Sequence, residues 1–96
     1  METRYRMTLE SQLGPRTGLL RLEDAGGRIS GVLSLLGFDN TVSGRLDAHR
    51  MRLTHGLRTA VSVLNCESIL DLDGSILTGT LRTEGYEMRW HGELLK

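Results

Sequence analysis

Five side chains near the ends of the predicted strands could together bind a small anion. Arg16 and Arg58 supply guanidinium groups, Asn40 supplies an amide, and Phe38 and Tyr86 supply aromatic rings. A guanidinium pairs with a carboxylate through two parallel hydrogen bonds, and small-molecule sites set a few such polar groups among apolar walls. The five residues therefore predict a site for a small anion or a carboxylate-bearing ligand. The competing interpretation is that Asn40 serves a turn and the arginines are solvated.

A second group of side chains is acidic and could attract a divalent cation. Asp71-Leu72-Asp73-Gly74 is similar to the start of a calcium loop, but the further oxygen ligands and the closing glutamate of such a loop are missing. Asp73-Gly74 is explained by a hairpin turn alone. We therefore expect no metal site and no cofactor. The group comprises Glu23, Asp24, Asp47, His49, Asp71 and Asp73.

His55 falls on an apolar face, in alternation with Met51, Leu53 and Leu57. We expect this histidine to be at least half buried and hydrogen-bonded, because an unpaired buried polar group is costly. A β-bulge around Thr54 that turns the ring into water is the alternative. His55 is also a candidate ligand-binding residue.

No constellation of residues in the chain is typical of an enzyme. Cys66 has no histidine or acid at a suggestive spacing, and a reactive thiol needs an activating neighbour. A nucleophile elbow, a phosphate loop and zinc-ligand spacing are also missing from the sequence. We expect a non-enzymatic protein without catalytic residues.

The elements that must position these side chains are predicted by a recurring glycine. A Ser, Thr or His precedes a glycine at residues 18, 31, 44, 56, 79 and 92, so that successive glycines lie 13, 13, 12, 23 and 13 residues apart. A period this short fits one strand and one turn, and the long step reads as two periods with one glycine missing. We expect Gly31, Gly44, Gly79 and Gly92 to face inward, each flanked two residues away by buried apolar side chains.

Alternation of polar and apolar residues predicts about eight strands. Residues 59–65 are left open as a loop, an early start of the sixth strand or a short helical turn. The other predicted strands are Arg4–Gln12, Thr17–Glu23, Arg28–Leu36, Thr41–Asp47, Arg50–Arg58, Ile76–Thr83 and Glu87–Leu94.

These strands predict an all-β, antiparallel up-and-down meander closed into a small barrel, in one domain spanning residues 1–96. Glycine would permit the bends and relieve crowding where the walls come close. The alternative architecture is two packed sheets with glycines at the bends. An interior of Leu, Ile, Val, Met and Gly could pack solid and leave binding to the rims.

Composition limits the partners and the compartment. Twelve basic and twelve acidic side chains cancel, which is unlike the basic footprint of a nucleic-acid binder. A single cysteine cannot form an internal disulfide, and the start of the chain has no apolar run typical of a signal peptide or a membrane span. We expect a cytoplasmic location, with neither nucleic acid nor membrane as partner.

The strand count, the hairpin connections and the repeated [Ser/Thr]-Gly-x-Leu unit resemble the calycin-like barrels of avidin or lipocalin type. A biotin site of the avidin kind needs several tryptophans, and Trp90 is alone. The segments 13–20 and 29–40 are similar to small uncharacterised bacterial proteins of this length. The resemblance concerns the fold and implies no particular activity.

In a meander, the turns that follow the first, third, fifth and seventh strands share one rim of the barrel. That rim gathers the five candidate anion-binding residues, and loops are where scaffolds usually carry recognition. Our principal hypothesis is a non-enzymatic barrel that binds a small molecule or a protein at this rim. The alternative is an interaction module that self-associates, as a homodimer, through outward apolar residues. Those residues are Leu19, Val32, Leu36 and Ile69.

Overall fold

The computed structural model describes residues 2–95, which form eight antiparallel strands in chain order. Each strand pairs with its neighbours in the chain, and β1 also pairs with β8, so that the sheet closes into a barrel. The predicted all-β class and closed meander are confirmed, and the two-sheet alternative is wrong. The strands are β1 Glu2–Ser11, β2 Gly14–Ala25, β3 Arg28–Leu35, β4 Phe38–Asp47, β5 Arg50–Arg58, β6 Val63–Asp73, β7 Ile76–Thr83 and β8 Tyr86–Leu95.

In the segment that the sequence left open, residues 59–62 form a turn and residues 63–65 begin a strand. β6 begins at Val63, and its first residue pairs with Arg58 at the end of β5. Between them the backbone N–H of Thr59 donates to the carbonyl of Ser62 at 2.8 Å, which closes a tight turn rather than a helical one. The part of the chain that the structure describes contains no helix that could cross a membrane.

The interior glycines mark places where the backbone of an adjacent strand comes very close. An added Cβ at Gly44 would overlap the carbonyl oxygen of Arg52 and lie 2.9 Å from the Cα of Leu53, both on β5. Gly31 and Gly79 stand in the same relation to carbonyls of β2 and β6. The inward placement of these glycines is confirmed. We expected a side chain at these positions to be crowded where the walls of the barrel come close. The close atoms instead belong to the backbone of the neighbouring strand, because the strands are strongly twisted and coiled.

Apolar side chains from all eight strands fill the barrel. Most of these side chains are Leu, Ile, Val and Met, as expected, and Tyr5, Cys66 and Trp90 are buried with them. Four polar side chains lie among them, and each has a hydrogen-bond partner. These are Asn40, His55, Ser68 and Thr83.

Gly44→Ala should destabilise the barrel much more than Gly56→Ala. The new methyl group at position 44 must displace backbone, and overpacking of this kind typically costs about 1–3 kcal/mol. Gly56 faces outward, and its added Cβ would make ordinary contacts with the Cγ1 of Val63 at 3.4 Å and the carbonyl oxygen of Leu64 at 3.8 Å. Alanine there should change the free energy of unfolding by no more than about 0.5–1 kcal/mol. Urea unfolding of both variants checks the prediction, and equal losses would contradict it.

Candidate functional site

One end of the barrel carries an open, apolar cavity of about 350 Å3. We call this end the mouth; it is formed by the turns after β1, β3, β5 and β7. Arg16 and Tyr86 border the cavity, together with the smaller polar residues Ser11, Gln12 and Thr59. The apolar lining consists of Leu9, Leu13, Leu36, Leu57, Leu64 and Met88.

Two hairpins project at the mouth and carry apolar residues into solvent. The β1–β2 pairing continues to Ser11 opposite Gly14, and the β5–β6 pairing continues to Arg58 opposite Val63. At their tips Leu13 is 84% exposed and Val61 is 92% exposed. Single exposed apolar residues are ordinary, but clustered ones mark interaction sites. Of the six large hydrophobic residues exposed in residues 2–95, all except Ile76 belong to the mouth.

Arg16 is the one charged residue among those that border the mouth cavity in the described chain. It stands opposite Leu9 in the β1–β2 register and shares the inward parity of Gly18 and Leu20 on β2. The guanidinium therefore stands where the interior wall reaches solvent. A cation at the edge of an apolar cavity suits a ligand with an apolar body and one anionic end.

The other predicted rim residues form a separate cluster. Phe38, Asn40 and Arg58 lie where β4 and β5 diverge, and Arg58 Cζ is 5.6 Å from the ring centroid of Phe38, within cation–π range. Asn40 and Arg58 line a shallow groove of about 300 Å3 that does not include Arg16 or Tyr86. The expectation that all five residues share one site is thus corrected: two border the mouth cavity and three do not.

Asn40 has a structural task that the sequence did not reveal. It lies in β4 with a buried side chain, so the prediction that it sits in a turn is wrong. The β4–β5 pairing ends at Val42 and His55, and the Asn40 amide bridges the gap beyond that pair. Its Nδ2 donates to the Leu33 carbonyl at 3.1 Å, and its Oδ1 accepts from the Arg58 backbone N–H at 2.9 Å. The second bond crosses from β4 to β5 and replaces a ladder hydrogen bond that the diverging strands cannot make, while the first holds the amide against β3.

His55 is buried and hydrogen-bonded, as predicted. The ring is 5% exposed, and the β4–β5 and β5–β6 pairing is regular at this position, so no bulge forms. Nδ1 lies 2.8 Å from the Gly56 carbonyl oxygen, which can only accept, so Nδ1 carries the proton. The unprotonated Nε2 then accepts the hydroxyl proton of Ser68 at 2.8 Å. His55 does not border the mouth cavity.

The pair of Ser68 and His55 has the geometry of an activated nucleophile but not its accessibility. A serine hydroxyl that donates to an unprotonated imidazole is an arrangement used in nucleophilic catalysis. Here Ser68 is completely buried, and the His55 ring packs 6.0 Å from that of Trp90. Burial also raises the pKa of the neighbouring Cys66 thiol, which disfavours the reactive thiolate. The arrangement therefore satisfies buried polar groups within the core.

The acidic turns lie at the opposite end of the barrel from the mouth. Asp24 Oδ1 accepts from the Gly27 backbone N–H at 2.8 Å, and Asp71 pairs with Arg50 at 3.0 Å. Within residues 2–95 no three or more His, Cys, Asp or Glu side chains are grouped so that they could hold a metal ion.

The outward apolar patch is smaller than the sequence suggested. Leu19 and Val32 face outward on β2 and β3 and are half buried. Leu36 was expected beside them, but its backbone is left-handed, with φ of 58°, and it lies in the β3–β4 turn bordering the mouth cavity. The turn geometry thus moves an apolar side chain from the outer wall to the mouth.

The residues that sequence reasoning missed are the apolar walls of the mouth. Leu13 is an apolar residue beside a predicted turn, where polar ones are usual, and this was an available signal. Leu36 was instead expected at the end of the third strand. Leu57 and Leu64 face each other across the β5–β6 pair, a contact hidden by the open assignment of residues 59–65.

No protein-family model matches the chain, and no curated protein is significantly similar to it in sequence. The closed eight-stranded barrel is compatible with a calycin-like fold at the level of architecture.

The stability of the barrel should fall in mildly acidic solution because of His55. Burial lowers the pKa of its imidazole below the ordinary value of 6.5, so between these two values the unfolded chain binds a proton that the folded chain does not. Stability is therefore lost as the pH falls from about 7 through that window, with a slope of at most about 1.4 kcal/mol per pH unit.

Urea unfolding between pH 7.5 and 5 measures the effect. His55→Gln should flatten the dependence, whereas His91→Gln, at an exposed position on β8, should leave it as in the wild type. If the free energy of unfolding depends on pH with the same slope in both variants, His55 does not cause the loss of stability in acid.

Proposed function

We propose that this protein binds a small amphipathic ligand at the mouth, with an apolar body in the cavity and a carboxylate beside Arg16. The observation that carries this proposal is the combination of an apolar cavity of about 350 Å3 with a single charged lining residue. The volume lies within the ordinary range for small-molecule sites, about 300–1,000 Å3. The protein acts as a binder, without a cofactor and without a chemical step.

The two ends of such a ligand would contribute in different ways. Each methylene buried against Leu57, Leu64 and Met88 should contribute about 0.8 kcal/mol. A charge-assisted hydrogen bond to Arg16 should contribute about 1.5–3 kcal/mol, less whatever solvent screening removes at an open rim. Affinity would thus come mainly from the apolar body, and the arginine would select an acid over a neutral analogue.

The architecture also supports this proposal. A closed antiparallel barrel can hold a ligand at its open end, and the calycin-like barrels it resembles are of this kind. A buried, unpaired Cys66 suits a reducing compartment, so we place the protein in the cytoplasm.

Binding of decanoate provides the test. Trp90, the single tryptophan, pairs with the cavity residue Leu9 across β1 and β8, so its fluorescence can report on the cavity. Decanoate should perturb the fluorescence saturably and shift the NMR signals of Leu57, Leu64 and Met88. Arg16→Gln should weaken decanoate binding about tenfold, which is about 1.4 kcal/mol, and leave decanol binding unchanged.

Arg58→Gln is the matched control. It removes an arginine from the same end of the barrel but outside the cavity, so decanoate affinity should stay as in the wild type. Equal losses in Arg16→Gln and Arg58→Gln would indicate general electrostatics. An absence of decanoate binding would reject the ligand and favour the alternative of self-association through Leu19 and Val32, which sedimentation of the Leu19→Ser variant would test.

A further inference from the structure

Three arginines form a straight row across the outer wall of the barrel. In the strand register Arg28 on β3 lies opposite Arg45 on β4, and Arg45 lies opposite Arg52 on β5. All three are exposed and share the outward parity of their strands. Because neighbouring strands are about 4.8 Å apart, the row spans about 10 Å.

A parallel row of hydroxyl groups lies beside the arginines. Ser30, Ser43 and Thr54 are opposite one another on the same three strands, each two residues from an arginine on the same face. Each strand thus presents one guanidinium and one hydroxyl. Both groups donate hydrogen bonds to phosphate oxygens, and the guanidinium does so in a two-pronged geometry.

The arginine row forms no ion pair within the described chain, although Asp47 lies two residues from Arg45 on the same face of β4. Two other outer-wall arginines are paired, Arg50 with Asp71 at 3.0 Å and Arg82 with Glu87 at 2.7 Å. Like charges directly opposite on adjacent strands destabilise a sheet. The row therefore holds an electrostatic repulsion that a bound anion would relieve.

The basic surface is only three strands wide. Both rows end at β3 and β5. On β2 the residues opposite Arg28 and Ser30 are Ala25 and Glu23, and on β6 the residues opposite Arg52 and Thr54 are Ile69 and Glu67. A long polyanion would meet these carboxylates. The face also has no aromatic side chain on which the bases of a single strand could stack. Its size and composition fit a short, linear anion.

From this arrangement we propose that the row of Arg28, Arg45 and Arg52 binds a di- or triphosphate group, free or as part of a small molecule, on the outer wall. Each phosphate group pairs with one guanidinium of the row, and the hydroxyls of Ser30, Ser43 and Thr54 donate to the remaining oxygens. The surface contains none of the mouth residues, so the proposal is independent of the ligand at Arg16.

Titration with sodium tripolyphosphate tests the proposal, followed by NMR signals of the arginine Nε–H groups and by calorimetry. The wild type should bind saturably, with shifts confined to β3, β4 and β5. Arg45→Gln removes the centre of the row and should weaken binding at least tenfold. Arg89→Gln removes an exposed arginine from β8 and should leave the affinity unchanged. Orthophosphate should bind more weakly than tripolyphosphate if several arginines act together.

Thermal unfolding at low salt gives a second measurement. Without tripolyphosphate, Arg45→Gln should raise the unfolding midpoint because it relieves repulsion; with tripolyphosphate, the midpoint of the wild type should rise and that of the variant should not. Equal affinities of the Arg45→Gln and Arg89→Gln variants would overturn the proposal. So would binding of oligothymidylate or phosphatidylglycerol vesicles to this face without binding of tripolyphosphate.

Discussion

The barrel depends on the close approach of one strand's backbone to the glycines of the next. At Gly31, Gly44 and Gly79 a carbonyl oxygen of the neighbouring strand occupies the place of a missing Cβ. Because glycine has no side chain at these positions, the strands can coil sharply. Strong coiling of the sheet is what brings β8 back to β1 in a chain of this size. Closure removes sheet edges that would otherwise pair with other chains. The [Ser/Thr]-Gly-x-Leu unit, which occurs in β2, β3, β4 and β7, is therefore a geometric requirement of those strands.

Closure is tight along most of the barrel and incomplete at the mouth. Near the mouth β4 separates from β5 beyond Val42 and His55, and β1 separates from β8 beyond Leu9 and Trp90. Asn40 spans the first separation with its amide. The projecting hairpins and the apolar cavity follow from the same divergence, because strands that no longer pair leave space between their side chains. The shape of the candidate site is thus a consequence of how the sheet ends.

Local patterns in the sequence were enough to predict the fold but not the whole site. The alternation of polar and apolar residues and the regular spacing of glycines can be read from short stretches of sequence. These two patterns correctly placed Gly44 and His55 inside the barrel. Asn40 could not be assigned in this way, because its role depends on where β4 and β5 stop pairing. The position of Leu36 depends on a left-handed turn residue, which side-chain alternation does not reveal. The arginine row requires the register of three strands, since Arg28, Arg45 and Arg52 are far apart in sequence.

A formal net charge of zero conceals an uneven distribution of charge. The arginines of the row form no ion pair within residues 2–95. Several carboxylates interact elsewhere: Asp24 accepts a hydrogen bond within a turn, and Asp71 and Glu87 form ion pairs with other arginines. A neutral chain exerts little long-range attraction on a polyanion, and the screening length in physiological salt is only about 8 Å. Strands that carry neighbouring arginines of the row are about 4.8 Å apart, which is within that distance. Such a surface favours recognition of a small anion at contact range over capture of a large one, which is consistent with a composition unlike that of nucleic-acid binders.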